Sequence, residues 1–313
     1  MPFEIFCDSS ANLPEELRAA HNVHVISYLC SVDGAERLCY EEGIPFCETA
    51  KRFYDEMRAG AEIKTSLVGE QRFIEALTPV LQAGKDALVI TIASGVSGTF
   101  NQAKAAQKEL AKRFPARTVV VKDSANASMG EGLLVLHAAR LRDMGESLET
   151  CAKWLDTNAY KVNSYFTVAD LKYLRKGGRV SLPLAIVGSL LSIKPVLRAD
   201  GGDNAKIVFS GREHGRKKSI AALVSAFREN VLNAENQTVA ITHADCEEEA
   251  LALAETLKSL GVRDVIVEYY DLCTGTHVGP GTIALFFMGK DRKSPALSLA
   301  CAPLARPAAD KIK

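Results

Sequence analysis

Ile90-Thr91-Ile92-Ala93-Ser94-Gly95-Val96-Ser97-Gly98-Thr99 is the stretch on which the reading of this chain turns. The apolar run from Ala87 to Ile92 has the length and continuity of a buried strand. A Ser/Gly turn follows, and Phe100 to Phe114 then carries helical periodicity. A strand that passes through such a turn into a helix is the repeating unit of a parallel α/β sheet. The turn also carries chemistry. Backbone N–H groups at a helix start are unpaired and lie at the positive end of the helix dipole. Hydroxyls of Ser94, Ser97 and Thr99 add donors, so the turn suits an anion, phosphate or carboxylate. Ser and Gly at such turns also serve simply to cap the helix.

Outward from this unit, strand and helix signals alternate. Phe3 to Cys7 reads as a strand. Leu13 to Ala20 reads as a helix with Asn12 as N-cap and Pro14 in its first turn. Val23 to Tyr28 alternates like a strand, and Val32-Asp33-Gly34 is a turn. Helices follow over 48–59 and 68–81, ending at Gly60 and Gly84, then a strand over 118–121 and a helix over 127–144. The order predicts an N-terminal Rossmann-like α/β domain with a parallel sheet, residues 1–155. Residues 156–313 read as a second α/β domain with a mixed sheet. Its strands are expected over 162–168, 194–199, 206–210, 238–242, 264–270 and 282–288, with helices over 148–159 at its border and over 171–176, 184–191, 217–230 and 247–259. The turn Asp200-Gly201-Gly202-Asp203 signals a hairpin, and 290–313 reads as a tail.

Three N-terminal strands end in small polar residues: Asp8-Ser9-Ser10, Ser94 to Thr99, and Asp123-Ser124. The carboxyl ends of parallel strands share one edge, where ligands bind. Asp8 and Asp123 read as caps for turn amides, or as carboxylates with chemistry of their own. Lys64-Thr65-Ser66 precedes the helix near Val68, so Thr65 or Ser66 is a natural N-cap and also a hydroxyl that can face a ligand. His277 falls in Thr276-His277-Val278-Gly279-Pro280-Gly281, a glycine-rich loop whose Gly279 permits close backbone approach. No P-loop, GxGxxG fingerprint or nucleophile elbow is present, and the other five histidines show no metal spacing.

Bulk composition excludes further classes. The 313 residues are 47% hydrophobic and 24% charged, with a formal net charge of zero. Neutrality argues against broad nucleic-acid binding, which needs a basic field. No apolar run has membrane-spanning length, and the first residues have no signal-peptide pattern; a cytoplasmic location is expected. The eight cysteines form no CxxC pair and read as scattered reduced thiols.

Several motifs, in order along the chain, then align with one family. They are Asp8-Ser9-Ser10 with Leu13-Pro14, Lys64-Thr65-Ser66, Ser94 to Phe100, Asp123-Ser124 with Gly130-Glu131-Gly132, Asp170 to Arg179 (DLKYLRKGGR), Lys194 to Leu197, and His277 to Gly281. On these the chain resembles the DegV family of bacterial fatty-acid-binding proteins. The resemblance implies a two-domain α/β protein that holds one long-chain fatty acid, with no cofactor, no metal and no catalysis of its own. It implies a carboxylate held by Thr65 or Ser66, by Ser94 or Ser97, and by His277. Asp8, Ser9, Gly95, Gly98, Thr99 and Gly279 would support that site. It further implies service as the B subunit of fatty acid kinase. There the carboxylate is presented to an ATP-dependent partner that makes acyl phosphate for phospholipid synthesis, and Arg179 and Arg212 would face that partner. Two positions depart from the family pattern: Leu67-Val68 stands where Gln-Pro is common, and Phe100 where Tyr is common.

Two other readings stand beside this one. A hydrolase acting on a small anion would use Ser97 as nucleophile and His277 as base. A lipid sensor would bind the acid without feeding a kinase. The absence of Arg from the three strand-end motifs favours a carrier, because neutral donors hold a carboxylate without competing with a kinase for its oxygens.

Overall fold

A computed structural model describes residues 3–180, 193–202 and 204–293. The first half runs β1 (Phe3–Asp8), α1 (Glu15–Ala20), β2 (Val23–Ile26), β3 (Leu29–Val32), β4 (Ala35–Leu38), α2 (Phe46–Ala59), β5 (Ile63–Ser66), α3 (Glu70–Gln82), β6 (Asp86–Thr91), α4 (Thr99–Arg113), β7 (Val119–Asp123), α5 (Met129–Asp143) and α6 (Leu148–Asn158). The second half continues with β8 (Val162–Thr167), α7 (Lys172–Gly177), β9 (Ile193–Ala199), β10 (Ile207–His214), α8 (Arg216–Asn230), β11 (Thr238–His243), α9 (Glu247–Ser259), β12 (Asp264–Tyr269), α10 (Leu272–Val278) and β13 (Ile283–Met288). The fold is α/β, as expected.

Strands β2-β1-β6-β7 form a four-stranded, wholly parallel sheet. Every residue of β1 and of β6 is buried, as continuous apolar runs in a sheet covered on both faces must be. The second sheet is mixed, in the order β10-β9-β8-β13-β11-β12. Only β11 and β12 pair in parallel; the other pairs are antiparallel.

Helix α5 packs on both sheets, touching β1 and β6 on one side and β8, β11 and β13 on the other. It is apolar nearly all round, with Met129 to Leu136 buried without a break, the pattern of a helix inside a core rather than on a surface. Its Gly132 is obligatory at that depth, since a Cβ would stand 2.4 Å from the Ala11 carbonyl oxygen. One hydrophobic cluster therefore runs through both halves of the chain. A smaller one lies where α8 and α9 cover the mixed sheet, around Leu223, Phe227, Leu257 and Phe287.

A third sheet was not expected from the sequence. β4-β3-β5 is antiparallel, and it takes in Val32, read as part of a turn, and Thr65 and Ser66, read as a helix cap. β2 stops at Ile26, because Ser27 and Tyr28 leave the parallel ladder: the Ser9 hydroxyl accepts the Tyr28 N–H at 3.0 Å and the Ser27 hydroxyl accepts the Tyr40 N–H at 2.9 Å. Lys64-Thr65-Ser66 lies in β5, not at a helix start; α3 begins at Glu70 behind Gly69. Asn12 does not cap α1. It adopts a left-handed conformation (φ 53°), and its amide donates to the Tyr269 carbonyl while its Oδ1 accepts from Ser128. The side chain thus stitches the first half to the second. Packing persists beyond Lys290, since Arg292 is 3% exposed and donates to the carbonyls of Ala125 and Ala159. The helix expected over 184–191, Asp203, and residues 294–313 lie outside the described residues. Among the described residues no helix is long and apolar enough to cross a membrane.

Candidate functional site

The carboxyl edge of the parallel sheet faces the third sheet, α7 and α10, and two cavities lie there. One, of about 510 Å³, is lined by the hydroxyl-bearing Ser10, Tyr28, Thr65, Ser66, Ser94 and Ser97 and by the apolar Leu67, Ile92, Val96, Leu174, Ile207 and Val278. The other, of about 520 Å³, is lined by the apolar Met57, Ala61 and Ile63 and by the cationic Arg58, Lys64, Lys172 and Lys176, among others. Thr65, Arg179 and His277 border both cavities. Both volumes fall in the range of ligand sites.

The hydrogen bond between Thr65 Oγ1 and His277 Nε2, 2.9 Å long, stands at this shared wall. Thr65 is presented by β5, and His277 by the last turn of α10. The glycine-rich loop expected around His277 is instead a helix through Val278. Asp271 caps it, accepting the N–H groups of Cys273 and Thr274; a capping Asp ahead of Leu272-Cys273-Thr274 was the signal available in the sequence. Burial and the nearby Arg179 push His277 down to about 4, so the ring is neutral at physiological pH and offers one donor and one acceptor. The α7 backbone lies flush against it: a Cβ on Gly177 would stand 2.8 Å from His277 Nδ1. Gly279, at φ +82°, meets the Tyr173 ring so closely that a Cβ would lie 2.1 Å from it.

A second hydroxyl group stands at the start of α4. Tyr28 Oη is 2.7 Å from Thr99 Oγ1 and 3.4 Å from Ser97 Oγ, and Ser97 Oγ is 2.9 Å from Thr99 Oγ1. Burial raises the Tyr28 phenol well above its ordinary range. The Ser97 hydroxyl is therefore engaged by Tyr28 and Thr99, whereas His277 is bonded to Thr65; the Ser97–His277 dyad a hydrolase would need is not formed in this structure.

The expectation of unpaired turn amides is overturned for most of the loop. Ile92 N–H donates to Asp8, Ser94 N–H to Asp123 and Ala93 N–H to the Asn126 carbonyl. The N–H groups of Val96 and Ser97 donate to the Ala93 carbonyl, and Thr99 N–H to the Ser97 hydroxyl. With these amides already paired, the donors the loop offers the cavity are mainly its hydroxyls.

Below the cavity three carboxyls are fully buried. Ser10 Oγ lies 2.5 Å from Asp8 Oδ1 and 2.9 Å from Glu131 Oε2. A hydroxyl has one proton, so Ser10 donates to one carboxyl, and the other contact is a hydrogen bond only if that carboxyl is protonated and donates. Burial drives both in that direction, Asp8 to about 6 and Glu131 well above its usual range. Asp271 is raised by burial to about 7.

Of the residues singled out in the sequence, Thr65, Ser66, Ser94, Ser97, Gly98, His277 and Arg179 come together on the first cavity. Asp8, Ser9, Gly95, Thr99 and Gly279 stand behind it. Gly95 is there because a Cβ would fall 2.1 Å from the Asn204 carbonyl oxygen. Arg212 lies apart, on β10 opposite Pro195, and borders neither cavity. Ser10, quoted in the first strand-end motif, also borders the first cavity, whereas Tyr28, Cys273 and Thr274 border it and were missed.

Residues 2–290 match the family described as uncharacterised protein, DegV family. A DegV domain-containing protein of Clostridium perfringens is 36% identical over 294 residues, 94% of this chain and 99% of that one. The solved structure of DegV, a fatty acid binding protein from Bacillus subtilis, superposes with a TM-score of 0.77 at 30% identity, covering 93% of this chain and 100% of that one. A fatty-acid-binding DegV family protein from Thermus thermophilus gives a TM-score of 0.79 at 29% identity, covering 91% and 99%.

Proposed function

Since this chain belongs to the DegV family, we propose that it binds one long-chain fatty acid in the cleft and presents the carboxylate to an ATP-dependent kinase in the cytoplasm. The observation that carries the reading is the Thr65–His277 pair on the wall shared by two cavities, one lined by hydroxyls and apolar side chains and the other carrying four further cations. The acyl chain lies in the 510 Å³ cavity, between the units 1–155 and 156–313. The carboxylate lies at Thr65, His277 and the hydroxyls of Ser94 and Ser97. Thr65 is preferred to Ser66, because Ser66 is exposed and its hydroxyl donates to the Leu29 carbonyl.

Energetics support this division. Burying a sixteen-carbon chain contributes up to roughly 12 kcal/mol at ~0.8 kcal/mol per CH₂, before ordering costs. The carboxylate must be desolvated, which is costly unless each oxygen is hydrogen-bonded. Neutral hydroxyls and a neutral imidazole meet that need while leaving the oxygens available for transfer. Lys176 and Arg179, which line the second cavity, and the exposed Arg212 would face the kinase, which supplies the phosphoryl-transfer machinery.

The test is to purify the chain, denature it and identify extracted ligands by mass spectrometry. A C14–C18 acid in near-equimolar amount is expected; a small phosphorylated metabolite instead would refute the reading. Acyl-phosphate formation should then require both this chain and a fatty acid kinase, and ATP consumption by the chain alone would overturn the carrier role.

A further inference from the structure

Tyr28 stands between β2 and β3 with its backbone fixed from both sides. Its N–H donates to the Ser9 hydroxyl at 3.0 Å, and its carbonyl accepts the Cys39 N–H at 3.0 Å and the Ser27 hydroxyl at 2.7 Å. The residue is 3% exposed and borders the 510 Å³ cavity. Its Oη lies 2.7 Å from Thr99 Oγ1, and Thr99 Oγ1 lies 2.9 Å from Ser97 Oγ. The direct Tyr28–Ser97 separation of 3.4 Å is outside the favourable range for an O–H···O bond, so the working path runs through Thr99. Three hydroxyls therefore stand in line, Tyr28–Thr99–Ser97, with two short bonds between them and three protons to place.

Burial decides which way those protons point. If Ser97 donated to Thr99 and Thr99 to Tyr28, the phenol proton would be left over. Thr99 is fully buried and Tyr28 nearly so, and Tyr28 Oη has no other hydrogen-bond partner among the described residues. A buried donor without an acceptor is costly. In the opposite direction Tyr28 donates to Thr99 and Thr99 to Ser97, and the proton left over belongs to Ser97. Ser97 is half-buried and borders the cavity, so a ligand or water can accept that proton. Ser97 Oγ also accepts the Thr99 N–H at 3.3 Å; with two bonds accepted, its remaining capacity is to donate. Burial keeps the phenol protonated by raising it well above its ordinary range, so the line begins with a donor.

We propose that this line runs from Tyr28 through Thr99 to Ser97, and that Tyr28 is thereby a positioning residue which fixes the Ser97 hydroxyl as a donor toward an anionic head group in the cavity. Hydrogen bonds in a chain polarise one another, so the last proton is a stronger donor than that of an isolated serine. Its rotor is also set before the ligand arrives, which lowers the ordering cost of binding. A carboxylate gains most, because hydrogen bonds to an ionised acceptor are about twice as strong as those to a neutral one. Tyr28 itself makes no polar contact with the ligand and acts only through its two neighbours. The identity of the ligand rests on the proposed fatty-acid reading; the direction of the line does not.

The experiment compares palmitate with hexadecanol on the full chain, by displacement of a fluorescent fatty acid. Tyr28→Phe keeps the ring and removes only the hydroxyl. It should weaken palmitate by about 2- to 12-fold, the worth of one hydrogen bond, and leave hexadecanol nearly unchanged. In a Ser97→Ala background the same substitution should have no further effect, since its route to the ligand is cut. Unchanged palmitate affinity, equal losses for acid and alcohol, or an undiminished loss in the Ser97→Ala background would each overturn the proposal and leave Tyr28 as cavity wall. Should Tyr28→Phe fold poorly, Thr99→Val breaks the line at its middle and is held to the same outcomes. A second measurement needs no ligand. With tyrosine labelled at 13Cζ, the Tyr28 signal in mixed H₂O and D₂O should be split by slow hydroxyl exchange and should collapse in Thr99→Val. A single averaged signal in the unaltered chain would overturn the direction of the line. A split signal in a chain that binds no palmitate would refute the fatty-acid reading and leave the hydroxyl line standing.

Discussion

Gly177→Ala tests the Thr65–His277 pair without touching either residue. Gly177 ends α7, and an added Cβ would stand 2.8 Å from His277 Nδ1, 3.5 Å from Cγ and 3.6 Å from Cβ. Ordinary van der Waals contact begins near ~3.4–3.5 Å, so the ring must retreat by roughly 0.6 Å. The ring's far nitrogen bonds Thr65 at 2.9 Å, and a displacement of that size takes the bond out of its favourable range. A neutral hydrogen bond contributes about 0.5–1.5 kcal/mol net. If bound lipid uses this pair, affinity should fall by about 2- to 12-fold. Stability should change little, because two effects of similar size oppose each other. Ala exceeds Gly in helix propensity by up to ~1 kcal/mol, which offsets the lost hydrogen bond, and the left-handed cap at Gly178 (φ +66°) is untouched. The expected signature is weaker displacement of a fluorescent fatty acid with a nearly unchanged Tm. Unchanged affinity would refute the placement of the head group at His277, and affinity lost only in step with Tm would reduce Gly177 to a packing role.

His277→Ala should weaken binding further, by about 1.5–3 kcal/mol or roughly 10- to 150-fold, since it removes a partner of a buried charge; displacement titration with Thr65→Val alongside would expose an effect of cavity size alone. Charge reversal at Arg179 should abolish acyl-phosphate formation with a cognate kinase and leave lipid binding intact, the defect being steepest at low salt; parallel loss of lipid binding would make Arg179 part of the ligand site instead. Burial raises Asp8 and Asp271 from 3.8 to about 6 and about 7, so the folded chain retains protons that the unfolded chain has released. Their contribution to stability is full below about pH 4 and is lost as pH rises through 6 to 7. Asp271→Asn carries no such proton and should flatten that loss by on the order of 2–4 kcal/mol between pH 4 and 8, read from urea unfolding at several pH values; parallel profiles for the two proteins would show that Asp271 is ionised throughout.

Much of the first half was legible because its signals are local. The run 87–92 is apolar without interruption, as a strand covered on both faces must be, and the helix after Ser97-Gly98-Thr99 announces itself by periodicity. The motif from Asp170 to Arg179 and the hydroxyl segments around Thr65 and Ser97 were visible as residue types in order, so seven of the residues that line the first cavity could be named. The capping role of Asp8 and Asp123 followed from their place at strand ends.

What the sequence could not decide is every relation between distant segments. Thr65 and His277 are 212 residues apart, and Tyr28 meets Thr99 across 71; no periodicity records such pairs. Lys64-Thr65-Ser66 looked like a cap because a short polar segment has no preference strong enough to resist its surroundings, and it became a strand when β3 offered a ladder. His277 looked like a loop residue because glycines flank it, whereas Gly275 and Gly279 are there to let Tyr54 and Tyr173 approach, each standing where a Cβ would be. Loop amides that looked vacant were filled by Asp8, Asp123 and Asn126. Pattern along the chain determines which segments become strand or helix, because that depends on neighbours a few residues away. The cavity and the neutral imidazole depend on burial and long-range contact, and those exist only once the chain has folded.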